Sequence, residues 1–113
     1  MTLAELDEAC RALPGVTMVV QWGGSNVYKV GGKVFAIASD EGVSFKASEI
    51  AYEAYCADGR GVRAPYTQPG AGWLNLSPLA EQDRAELAGL LSDAHGLIAA
   101  KLSKVRRREL GIA

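Results

Sequence analysis

Residues 27–39 read VYKVGGKVFAIAS, and the architecture turns on what Gly31-Gly32 does. A phosphate cradle leads from a strand into a helix N-terminus, where free amides and the helix dipole face the anion. Here strand-like residues flank the pair on both sides, and Lys33 begins a strand where a phosphate-binding lysine would begin a helix. The pair is therefore predicted to close a β-hairpin, because a type I′ turn needs positive φ at both central positions and glycine adopts it at least steric cost. Pairing outward sets Val30 against Lys33, Lys29 against Val34 and Tyr28 against Phe35. That register turns Tyr28, Val30, Phe35 and Ile37 to the core, and Val27, Lys29, Val34 and Ala36 to the other side.

The flanking segments follow the same logic. Thr2 and Glu5 form a T-x-x-E capping box ahead of Leu3, Leu6, Cys10 and Leu13, an apolar stripe at helical spacing that Pro14-Gly15 ends. VTMVVQ (16–21) reads as a strand and WGGS as its turn, a strand-to-strand link that again lacks the helix a phosphate needs. Asp40-Glu41-Gly42 turns into a strand at 43–46, and Ser48 is positioned to cap a helix running to about Asp58, stopped by Gly59. GVRAPY is expected to be extended, and 73–76 is a further strand. Ser77-Pro78 then opens a long helix whose apolar stripe runs Leu87, Leu90, Leu91, Ala94, Leu97, Ile98 and Leu102. The order α-β(3 or 4)-α-β(1 or 2)-α, with tight hairpins, predicts a two-layer α+β fold: an antiparallel sheet with its helices packed on one face.

At 113 residues, 49% of them hydrophobic and 22% charged, the chain has the size and composition of a single globular domain over 1–113. No apolar run is long enough for a membrane span, and MTLAELDEAC carries acids where a secretory signal needs basic residues, so a cytoplasmic location without membrane partners is expected. Cys10 and Cys56 lack ligand spacing and are expected to be buried thiols. The charge is split. Residues 1–100 hold seven Lys/Arg against twelve Asp/Glu, whereas 101–113 hold five against one.

ALPGVT (12–17), WG (22–23), VYKVGGKVFA (27–36), APY (64–66), Trp73 and KLSKVRR (101–107) together resemble the MmcQ/YjbR family of small bacterial proteins. The resemblance implies an α-β(3)-α-β(2)-α domain of the kind likened to CyaY and to secretion chaperones, a bacterial source and the label "DNA-binding". The chain departs from that pattern at Met18-Val19-Val20, where acids are usual, at TQPGAG before Trp73, and at Ser103, where proline is common.

Functional candidates are few. Lys101, Lys104, Arg106, Arg107 and Arg108 form a basic helix end at about 101–110, and a continuous helix would bring Lys101, Lys104 and Arg108 onto one face, suited to a phosphate backbone. Arg60 and Arg63 extend that patch only if the fold brings their loop to it. Trp22, Tyr66 and Trp73 border loops and are candidates to line a groove where unpaired bases stack. His95 is the sole histidine, and a catalytic role for it requires an acid or nucleophile within reach. Glu49 and Glu53, one helical turn apart, require a cleft for acid-base work. Neither a metal, a catalytic set nor a nucleotide or other cofactor is expected. The leading expectation is weak DNA binding through the basic end. The alternative is a protein-interaction module that docks a peptide or a second copy on the sheet face or near Tyr66 and Trp73.

Overall fold

A computed structural model describes residues 1–112. Among them the chain runs α1 (Leu3–Arg11), β1 (Val16–Gln21), β2 (Ser25–Val30), β3 (Lys33–Ser39), β4 (Gly42–Lys46), α2 (Glu49–Ala57), β5 (Val62–Arg63), β6 (Trp73–Leu76), a 3-10 turn (Leu79–Glu81), α3 (Arg84–Ala99) and α4 (Lys104–Glu109). The strands form one antiparallel sheet in the order β1-β2-β3-β4-β6-β5. The helices pack on one face of it, α3 across β3 and β4 and α1 against α3 and β1. The α+β fold expected from the sequence is the one found.

Local signals explain most boundaries. Thr2 and Glu5 make the reciprocal capping box, and Ser48 caps α2 through the amide of Ala51. Gly31 and Gly32 adopt φ of 57° and 82°, the two positive angles that a type I′ turn demands. The cap of α3 is Asp83, whose carboxylate accepts from the Glu86 amide; the chain from Ser77-Pro78 enters the 3-10 turn first.

The hairpin departs from simple outward pairing after two rungs. Val30 faces Lys33 and Lys29 faces Val34, but Tyr28 then pairs with Ala36, so β3 carries an extra residue at the shift. This β-bulge lets Phe35 and Ala36 both enter the core and sends Ile37 to the opposite face, with Ala38 buried in its place. The core predicted to hold Ile37 holds Tyr28, Val30, Phe35, Ala36, Ala38, Val43 and Phe45 from the sheet, against Leu6, Leu87, Leu91, Ala94 and Ile98 from the helices.

The C-terminal helix also departs from expectation. α3 ends at Ala99 with Ala100 as its C-cap; Lys101 and Leu102 turn, and Ser103, extended at ψ 159°, caps α4 through the Arg106 amide. A serine oxygen competes well for helix N-terminal amides, so Ser103 starts a new helix where a continuous one was predicted. Leu102, Leu110 and Ile112 anchor this segment against the core. Leu97, predicted for the buried stripe, is partly exposed, while His95 and Ala99 occupy it.

Candidate functional site

Two directions define the surface. The turns β1–β2 and β3–β4 mark the upper end of the sheet, and Gly31-Gly32 marks the lower end. The helices cover one face; the other is open and carries Lys29, Ile37, Ser44, Lys46, Trp73 and Asn75 by strand alternation and register.

A groove of about 880 Å³ crosses the upper part of this open face. Its floor includes Ile37, Ser44 and Asn75, with the Asn75 amide donating to Ser44 Oγ at 3.0 Å. Ser25, Ser39, Thr67 and Ser77 supply hydroxyls around it, and Glu41 is the charged residue of the lining. Trp22 and Tyr66 stand at its borders with relative exposures of 64% and 107%. Both hold left-handed backbone, φ 49° and 63°, which costs a residue with a bulky side chain about 1–2 kcal/mol. Strain of that kind at two exposed aromatics on one groove marks a candidate binding site. Trp73 shares the open face but pairs with Lys46 further down and lies half-buried outside the groove lining. The serines and Asn75 escaped sequence reading because a lone polar residue in a strand is ordinary. Their period-2 spacing on β4 and β6 was the available signal.

The basic residues gather elsewhere. The Leu102 side chain lies against Gly31, where an added Cβ would come within 2.7 Å of it, and Leu110 lies equally close to Gly15. The segment 101–110 is thereby fixed at the lower end, beside the hairpin turn that carries Lys33. Lys33, Lys101, Lys104, Arg106 and Arg108 are exposed there. Arg106 pairs with Glu109 at 3.2 Å, and Arg107 lies partly buried with its Nε unpartnered. Lys104 and Arg108 share a face of α4, while Lys101 is outside the helix, which corrects the single-face arrangement.

Arg60 and Arg63 do not join this patch. Arg60 pairs with Glu86 in the first turn of α3 and stacks 4.7 Å from the Tyr55 ring, which puts it roughly 20 Å up the helix from Lys101. Its guanidinium holds the Glu86 carboxyl below the usual carboxylate range. Arg63 lies on β5, at the edge of the sheet opposite β1.

His95 is buried, with Nε2 2.8 Å from the Pro14 carbonyl oxygen and its ring edge-on to Phe35. A carbonyl only accepts, so Nε2 carries the proton and donates. Among the described residues no carboxylate, serine or cysteine hydrogen-bonds to His95, and no group of three His, Cys, Asp or Glu is placed to hold a metal. Glu49 and Glu53 line a shallower cleft of about 450 Å³ with Lys46 and Tyr52. Cys10 is buried and Cys56 half-buried; both are free. No helix of the described residues is long and apolar enough to cross a membrane.

A family model, YjbR, matches residues 11–97, most of the chain and all six strands. The chain belongs to the YjbR family. Its fold agrees: the crystal structure of Deinococcus radiodurans protein DR2400, family-model domain DUF419, superposes with a TM-score of 0.81 at 21% identity, over 99% of this chain and 89% of that one. No curated protein matches the sequence. YjbR is not a known enzyme family, and its match stops at Leu97, so the basic segment lies beyond the stretch that defines membership.

Proposed function

We propose that this YjbR-family chain binds single-stranded nucleic acid weakly, with phosphates on the lower basic end and bases on the open sheet face. The observation that carries the reading is the convergence of Lys33 with Lys101, Lys104 and Arg108, cations from segments far apart in sequence. Exposed cations on one surface neutralise a phosphate backbone without regard to base order. Trp22 and Tyr66 favour a single strand over a duplex, since only unpaired bases present a free π-face to stack. The excess of acids over residues 1–100 acts in the same direction by repelling a long duplex.

Titration of tryptophan fluorescence with single-stranded and duplex oligonucleotides tests this. Single strands are expected to quench the signal and Trp22→Phe to remove most of the quenching. With about four phosphate contacts, affinity falls roughly fifty-fold between 50 and 200 mM salt, from a slope near −0.7 per contact. Binding that ignores salt, or a preference for duplex, contradicts the proposal. The groove also supports a second reading, as a peptide dock, because its lining carries Glu41 and no cation. Peptide binding that survives high salt and is blind to Lys104→Glu would favour that alternative.

A further inference from the structure

The two edges of the sheet are unlike. β5 is two residues long and carries Arg63, with Pro65 just beyond it, which are features that discourage pairing with another chain. β1 is six residues long, reads VTMVVQ without a charge, and exposes Val19 at 39% and Val20 at 59%. Alternate residues of an edge strand turn N–H and C=O outward. Among the described residues no side chain, and no backbone group outside the sheet, hydrogen-bonds to the backbone of 16–21. A six-residue, uncharged edge of this kind is a template for a further strand.

The charges of the fold say which strand. Asp40, Glu41 and Asp83 lie at the upper end, where α1 and α3 begin and β3 turns into β4, together with Glu5, which is paired with Arg84 at 3.2 Å; the basic segment packs at Gly15, immediately before β1 begins. The molecule is polar along the direction of β1. A second copy paired antiparallel across a two-fold axis sets each basic end beside the other copy's acidic end; a parallel pair would set like against like.

We propose that β1 pairs with β1 of a second copy in an antiparallel two-fold dimer, forming a continuous twelve-stranded sheet. The pairing has a functional consequence that rests on the nucleic-acid reading above, although the dimer itself does not. In one chain Trp22 and the basic segment flank opposite ends of β1, roughly 20 Å apart. In the dimer the basic segment of each copy lies beside Trp22 of the other, so each binding site takes its aromatic from one chain and its cations from the second.

Sedimentation of the full chain without nucleic acid, from micromolar to millimolar concentration and at low and high salt, tests the pairing. A monomer–dimer equilibrium that weakens with salt is expected. Val20→Lys should raise the dissociation constant about ten-fold or more, and Val62→Lys on the β5 edge should leave it unchanged. Should Val20→Lys fail to fold by circular dichroism, hydrogen exchange of the unaltered chain replaces it: amides of 16–21 must become protected as concentration rises. A monomer throughout, a dimer indifferent to Val20→Lys, or concentration-independent exchange in β1 overturns the proposal. Oligonucleotide binding by a monomeric Val20→Lys chain at unchanged affinity removes the shared site only. A dimer that binds no oligonucleotide refutes the nucleic-acid reading and leaves the pairing standing.

Discussion

His95 Nε2 donates to the Pro14 carbonyl oxygen across 2.8 Å and ties the middle of α3 to the link between α1 and β1. The one histidine of the chain is thus a buried fastener whose acceptor lies 81 positions away. His95→Phe keeps a ring against Phe35 but leaves that carbonyl unpaired, so a loss of about 1–3 kcal/mol is expected in urea unfolding. His95→Ala adds a cavity and is expected to cost more, about 2–5 kcal/mol.

Gly31 and Gly32 share the turn but differ in surroundings. Alanine at either position must hold a left-handed backbone, at about 1–2 kcal/mol. Space around Gly32 is open, whereas a Cβ on Gly31 meets Leu102. Gly31→Ala is therefore expected to destabilise by about 1 kcal/mol more than Gly32→Ala. Combining it with Leu102→Ala should shrink that difference, as a double-mutant cycle in denaturant would measure.

Alkaline pH provides a third check. Burial pushes the Cys10 thiol up to about 12, and burial followed by the hydrogen bond donated to Asp7 pushes the Tyr28 hydroxyl up as well. On raising the pH the unfolded chain gives up these protons first, so it is favoured. Stability is expected to stay level through neutral pH and to fall above pH ~9, where an unfolded thiol and then a phenol ionise. Cys10→Ala should remove the first part of that fall. A thiol reagent at mildly alkaline pH should label half-buried Cys56 in the native protein and Cys10 only on unfolding.

The division of the cations predicts a contrast between variants. Lys104→Glu should weaken oligonucleotide binding by about ten-fold at low salt and flatten the salt slope by roughly one contact or more. Arg60→Ala should leave binding unchanged, since that guanidinium is engaged by Glu86 and Tyr55 far from the basic end. Equal losses for the two would contradict the placement of the site.

Patterns contained within a few neighbouring residues were legible without a fold. The capping box at Thr2 and Glu5, the Gly31-Gly32 turn, five of the six strands and the segregation of the helices all follow from local backbone preference and hydrophobic period, whereas the stretch holding β5 was expected only to be extended. The bulge at Phe35 was not, because an extra residue in one strand is selected by how two buried side chains fit beneath α3, and pattern alone favours uninterrupted alternation. The break at Ser103 has a local cause that competed with a longer apolar stripe; anchoring of Leu102 and Leu110 beneath the turns at Gly31 and Gly15 favours two helices.

The site divides along the same line. Trp22, Tyr66 and the basic cluster were visible as residue types, but their grouping depended on distances between segments that no local rule encodes. Packing brought Lys33 to the C-terminal cations, drew Arg60 away to Glu86, and buried His95 against Pro14. It also left β1 as an unpaired edge between an acidic and a basic end. Turn chemistry and side-chain period act locally, so the order of residues settles which surfaces this chain can make. Which of those surfaces meet is settled by packing in three dimensions, because burial and charge pairing act between residues that the chain holds far apart.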